Sequence, residues 1–154
     1  MKYYSTRDKS TKVSFREAVL TGIPLDKGLY FPETIPSLET EFIEELSNLS
    51  NEEIAFECIS KFSGNDIDEA SLKRIVSETI NFKFPSNKLS DDISVLELFH
   101  GPTMAFKDVG ARFTSRVLSY FNLSSKKKIT VLVATSGDTG AAVASGFYGV
   151  EGVD

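Results

Sequence analysis

Tryptophan is absent from this chain, and cysteine and histidine occur once each. With Cys58 alone, no internal disulfide can form. A lone histidine, His100, does not assemble the roughly four ligands of a metal centre, so no metal is expected. No apolar run reaches the ~18 residues that a membrane-spanning helix needs, and the opening Met1-Lys2-Tyr3-Tyr4-Ser5-Thr6-Arg7-Asp8 lacks the apolar core of a secretory signal. A reducing cytoplasm, with no membrane partner, is the expected home. Basic residues are also in the minority, 17 Lys and Arg against 22 Asp and Glu. Nucleic acid is therefore not expected as a partner, because phosphate backbones are bound by clustered cations. The one basic run, Lys126-Lys127-Lys128, reads as a solvated segment ahead of an apolar strand.

What is present fits a soluble globular protein. The 154 residues are 41% hydrophobic and 25% charged, close to the average for that class and enough to bury a core. Cys58 lies in a helical stripe with Ile54, Ala55, Ile59 and Phe62 and reads as part of that core.

The first ninety or so residues read as short helices. Ser14-Phe15-Arg16-Glu17 and Ser50-Asn51-Glu52-Glu53 are capping boxes, in which Ser accepts from an orphan amide and Glu reaches back to the Ser amide. Gly22 and Pro24 stop the first helix, and Gly64 stops the second. Between them Leu38, Phe42 and Leu46 recur at helical spacing, and later Leu72, Ile75, Val76, Thr79 and Ile80 face inward.

The pattern changes after Asp91-Asp92. Val95-Leu96-Glu97-Leu98-Phe99 reads as a strand, and a helix is expected from about Ala105, with Val109, Phe113, Val117 and Tyr120 on one side. Ile129-Thr130-Val131-Leu132-Val133-Ala134 has the continuous β-branched hydrophobicity of a buried parallel strand. The turn Thr135-Ser136-Gly137-Asp138-Thr139-Gly140 and a small-residue helix from Ala141 follow, and Gly149–Val153 leads toward another strand. Strand, helix, strand, glycine turn, helix is the order of an α/β fold. So small a parallel sheet leaves both faces without cover, so the sequence is expected to stop short of its natural end.

Two segments carry candidate chemistry. Lys107 follows a strand and opens a helix, where α/β sheets place ligands. Its charged form is disfavoured there by about 0.3–1 kcal/mol, because the helix start is already partly positive; a nucleophilic amine must be unprotonated. The bland alternative is a surface lysine capped by Asp108. The turn 135–140 offers backbone amides and hydroxyls to a carboxylate or phosphate; its bland alternative is a strand–helix turn capped by Asp138 or Thr139. His100 reads as a loop-shaping residue. The Ser5-Thr6-Arg7 run could grip an oxyanion or simply be solvated.

Read whole, the string from His100 to Asp108, continued by Val109-Gly110-Ala111-Arg112-Phe113, resembles the cofactor-lysine segment of threonine synthases. Ala134 to Ala144 is similar to the second signature of that family. The opening matches too, through Tyr4-Ser5-Thr6-Arg7, Ser14 to Gly22, and Asp26-Lys27-Gly28-Leu29-Tyr30. The resemblance covers the whole chain. One departure is Lys27, where the family commonly has a second glycine, which bears on the geometry of that turn.

The resemblance implies a fold type II pyridoxal-phosphate enzyme: a mainly helical domain over residues 1–92, then the first part of the cofactor-binding α/β domain over 93–154. It implies a carbon–oxygen lyase acting on phosphate, which converts O-phospho-L-homoserine and water to L-threonine and phosphate in the last step of threonine biosynthesis. Lys107 would bond covalently to pyridoxal 5'-phosphate, with Phe106 and Asp138 beside it. Thr135, Ser136, Gly137, Thr139 and Gly140 would face the substrate carboxylate. Related enzymes often carry Asn where Asp138 stands; a carboxylate beside the ring's phenolate oxygen repels it unless a proton is shared, and sharing is expected. In the family, the groups that hold the cofactor phosphate and ring nitrogen come from later in the chain, so these residues alone are expected to be inactive. A phospho-lyase acting on the same substrate, and a non-catalytic module of the same fold, remain alternatives. The Phe106 position disfavours the dehydratases, which usually have Ser there.

Overall fold

The computed structural model describes residues 1–123, 125, 128–135 and 137–154. The chain divides into two compact units, Met1–Val76 and Ser77–Asp154.

The first unit opens with a sheet that the helical reading of this region did not include. Strands β1 (Lys2–Ser5), β2 (Lys12–Ser14) and β3 (Tyr30–Pro32) pair antiparallel in the order β2-β1-β3. Tyr3 and Ser5 of β1 are buried, as alternation along a strand requires. Tyr3 donates its hydroxyl to Phe62 O at 3.0 Å and packs its ring 5.9 Å from that of Phe15. On the opposite face Tyr4 lies 6.1 Å from Phe31. Strands of three or four residues are too short to show a period in the sequence.

The helices of this unit follow the expected signals. Helix α1 (Phe15–Thr21) and α3 (Asn51–Ser63) both start in complete capping boxes, at Ser14/Glu17 and Ser50/Glu53. Gly22 and Gly64 end them with φ of 70° and 59°, values that a side chain resists. Between them lies α2 (Thr40–Glu45), with Leu38, Phe42 and Leu46 half-buried. Cys58 is half-buried on α3 rather than enclosed. Helix α4 (Glu69–Thr79) buries Leu72, Ile75, Val76 and Thr79.

The turn before β3 is built around Asp26. Its Oδ1 accepts from Ser5 Oγ at 2.7 Å and from Gly28 N at 2.8 Å, and Arg7 Nη1 donates to its carbonyl at 3.2 Å. A Cβ on Gly28 would overlap Ser5 Oγ. Ser5 and Arg7 are thus joined to this turn. Lys27 has φ 60°, a left-handed backbone that glycine adopts without cost. The departure from the family's glycine therefore falls at a strained position.

In the second unit the strand expected over Val95–Phe99 is shorter and has a different partner. Strand β5 (Ser94–Leu96) pairs antiparallel with β4 (Ser86–Lys88), and both are exposed. Asp91 and Asp92 fall in the hairpin turn, closed by Leu89 N and Ser90 N donating to Ile93 O, as Ser and Asp favour.

Parallel pairing occurs elsewhere, between Ile129 and Val153. Ile129 N donates to Gly152 O at 2.9 Å, Asp154 N to Ile129 O at 2.8 Å and Val131 N to Asp154 O at 2.8 Å. The expected burial of 129–134 is not met. Leu132 is 91% exposed, because no layer among the described residues covers it. Lys128 pairs with Asp154 at 2.8 Å; Lys126 and Lys127, of the basic run, lie outside the described residues. The unit is completed by α5 (Lys107–Asn122) and α6 (Asp138–Phe147). The fold is thus mixed helix and strand, and among the described residues parallel pairing is confined to this short ladder.

Candidate functional site

Helices α5 and α6 lie side by side and point the same way. Near their starts Lys107 meets Asp138, and a little over two turns on Ser115 and Arg116 meet Gly146. Ser115 Oγ and Arg116 Nη1 both donate to Gly146 O, at 2.6 and 2.7 Å. The approach is close because Gly146 has no side chain: a Cβ there would stand 2.9 Å from the backbone of Ala111. Ala142 is fully buried in the same helix. Both amino-terminal ends, with their partial positive charge, therefore open at one end of the pair.

Lys107 is the first residue of α5. Its Nζ lies 3.4 Å from Asp138 Oδ2 and 5.2 Å from the centre of the Phe106 ring. The Asp138 carboxyl is held below the ordinary aspartate range, first by its own backbone N–H and then by the hydrogen bond and charge of Lys107. A cavity of about 510 Å³ opens here, lined by Phe106, Lys107, Gly110, Thr114, Thr139 and Phe147 among others. That volume falls within the roughly 300–1,000 Å³ of small-molecule sites.

The turn before α6 is capped from behind, not by Asp138 or Thr139. Gly137 is the N-cap and makes no side-chain bond. Thr135 Oγ1 instead accepts from Gly137 N at 3.3 Å and from Gly140 N at 3.2 Å. A Cβ on Gly140 would overlap the Thr135 methyl, so glycine is required there for the cap to form. The structure thus brings Phe106, Lys107 and Thr139 to one cavity, sets Asp138 against Lys107, and places Thr135, Gly137 and Gly140 in the turn that presents Asp138. Ser136, the remaining candidate, lies outside the described residues.

Asp108 does not cap Lys107. It is 1% exposed and accepts from Thr103 N and Thr103 Oγ1. Neither this bond nor the Arg116–Gly146 lock has a sequence signature; the only trace is a glycine inside the small-residue run of α6. His100 bonds Glu97 at 2.7 Å and stacks on Phe99, which agrees with a loop-shaping role. That bond, with a lesser one from Asn87, holds the Glu97 carboxyl below its ordinary range. Among the described residues, no three His, Cys, Asp or Glu side chains are grouped to hold a metal, and no helix is long and apolar enough to cross a membrane.

Comparison with known proteins places this geometry in context. A family model described as "Threonine synthase N terminus" matches residues 2–80. Threonine synthase of Serratia marcescens is 41% identical over 153 residues, which cover 99% of this chain and 35% of that protein. The crystal structure of threonine synthase from Escherichia coli is 40% identical with a TM-score of 0.89, covering 99% of this chain and 35% of that one. The crystal structure of PLP-bound threonine synthase from Brucella melitensis is 37% identical with a TM-score of 0.94, covering 100% and 34%. The chain thus spans about a third of the length of the relatives it matches.

Proposed function

The chain belongs to the threonine synthase family, and from that premise we propose that it forms the lysine-bearing end of a pyridoxal-phosphate enzyme that converts O-phospho-L-homoserine and water to L-threonine and phosphate. The observation that carries this reading is the meeting of Lys107 Nζ and Asp138 Oδ2, 3.4 Å apart, beside the cavity that Thr139 also lines. In this reading residues 1–92 form the N-terminal domain and residues 93–154 begin the cofactor-binding domain. Turnover belongs to a protein of the relatives' length.

The residues present fit pyridoxal phosphate. Lys107 offers an amine that can bond covalently to an aldehyde. Phe106, Ala111, Val143 and Phe147 give the cavity an apolar lining suited to an aromatic ring. When bound, the cofactor supplies an electron sink for negative charge next to the substrate's amino group.

The chain's own residues then have separate tasks. The Lys107 amine, held on one side of the cavity, is placed to take a proton from the substrate's α-carbon and return it. Asp138 stands next to that amine and would share a proton with the phenolic oxygen of a bound cofactor. The turn of Thr135, Ser136, Gly137, Thr139 and Gly140 would hold the substrate carboxylate at the start of α6, where the helix's partial positive charge favours an anion. The Phe106 ring, 5.2 Å from Lys107 Nζ, would form an apolar wall beside that amine.

The test is to give O-phospho-L-homoserine and pyridoxal phosphate to a protein of the relatives' length that carries this chain. Threonine and phosphate in equal amounts are expected. Phosphate without threonine would assign a phospho-lyase instead, and neither product would refute catalysis.

A further inference from the structure

The tasks above leave Asp108 unused, although it is one of the most enclosed polar side chains in the chain, 1% exposed. Both of its oxygens are engaged by one residue: Oδ2 accepts from Thr103 N at 2.9 Å and Oδ1 from Thr103 Oγ1 at 2.5 Å. Gly101 makes the space, since a Cβ there would overlap Oδ2. Two backbone bonds close the same loop, Met104 N to Gly101 O at 3.1 Å and Asp108 N to Ala105 O at 3.0 Å.

Inside this closed loop sits Met104, with φ 57°. Its side chain is 77% exposed, so packing does not explain a backbone conformation that methionine resists. Strain of this kind persists only where surrounding bonds over-determine it. The bonds that do so here converge on Thr103, the residue just before it.

We infer that Asp108 is the positioning residue for Lys107: by clamping Thr103 it holds Met104 in the left-handed conformation and fixes the rotation of the first turn of α5. Consecutive helical residues project about 100° apart. Burying the side chain at 108 therefore turns the one at 107 away from the interior and toward Asp138. The inference rests on the reading of Lys107 as the cofactor lysine. A carboxylate at 108 accepts from both groups with charge assistance; an amide could keep its oxygen on Thr103 N and donate its NH₂ to the Thr103 hydroxyl, but without that assistance.

The test needs no cofactor. A water-soluble carbodiimide activates the Asp138 carboxyl; the Lys107 amine displaces the resulting urea and forms an amide, the reagent having taken up the elements of water. Peptide mass mapping reads the Lys107–Asp138 cross-link against the Lys73–Glu69 pair, 2.6 Å apart on α4, as internal control. Asp108→Asn should lower the first yield roughly tenfold, the scale of losing the charge assistance of buried bonds, and leave the control unchanged. Adding Met104→Gly, which takes the left-handed backbone freely, should restore most of it; a purely structural role for Asp108 predicts no such rescue. Should Asp108→Asn fail to fold, Thr103→Val removes only the hydroxyl donor and should lower the yield in the same direction. A folded Asp108→Asn or Thr103→Val chain with undiminished Lys107–Asp138 cross-linking overturns the inference. A wrong cofactor assignment would leave this result intact and be exposed by the labelling of Lys107 instead.

Discussion

Lys107 and Asp138, 31 positions apart in sequence, form an ion pair of 3.4 Å at the common end of two parallel helices. The pair is about one-third exposed on the lysine side and more than half exposed on the aspartate side, so its contribution to stability is small. Its consequence is placement. The alignment of α5 with α6 brings these groups together.

The carboxylate at 138 makes a first prediction. In the ligand-free chain Asp138 is stabilised as a carboxylate; its depressed folded value means that the pairing is present above the ordinary aspartate range and is lost as pH falls through that lower value. With cofactor bound, the proposed proton sharing gives Asp138 a direct influence on the ring. Asp138→Asn should change both the absorption spectrum of the bound cofactor and its dependence on pH. An unchanged spectrum would argue against the shared proton.

Gly146 makes the second. A methyl at this position would press on the Ala111 backbone, with contacts of 2.9–3.1 Å, and push α6 from α5 where Ser115 and Arg116 hold it. Gly146→Ala should destabilise the chain by about 1–3 kcal/mol, as overpacking does, with a matching fall in the thermal midpoint. A midpoint equal to wild type would show that the helices are not locked there.

Lys27 makes the third. Glycine at this left-handed position removes a conformational cost of about 1–2 kcal/mol while adding unfolded-chain freedom of about 0.5–1 kcal/mol. Lys27→Gly should therefore raise stability by about 0.5–1 kcal/mol, measured by urea unfolding. A loss of stability would mean that the lysine side chain contributes more than its backbone costs.

How much of this was legible in the sequence depended on the range of the interactions. Capping boxes at Ser14 and Ser50 and the apolar stripe of α4 are local patterns, and all three helices form where those patterns lie. Of the small sheets only β5 was legible, as part of the strand expected over Val95–Phe99. Strands β1 to β3 are three or four residues long, and β4 and β5 have no buried face to impose alternation. The segment 129–134 carries the composition of a covered strand, but burial belongs to the covering layers and not to the strand itself. In the site, the lysine segment and the glycine turn stand out as motifs. The parts that orient them do not. Asp108 bonds to Thr103 and Arg116 bonds to a carbonyl 30 positions away, and neither pairing follows a helical or strand period.

The proposed chemistry depends most on the ε-amine of Lys107 being the group that condenses with the cofactor aldehyde. Incubation of the chain with pyridoxal phosphate, reduction with borohydride and peptide mass mapping tests this directly. The phosphopyridoxyl group should appear on Lys107 well ahead of every other lysine, and the selective label should vanish in Lys107→Ala. A label spread over the surface lysines, with Lys107 modified no more than the rest, would contradict the account.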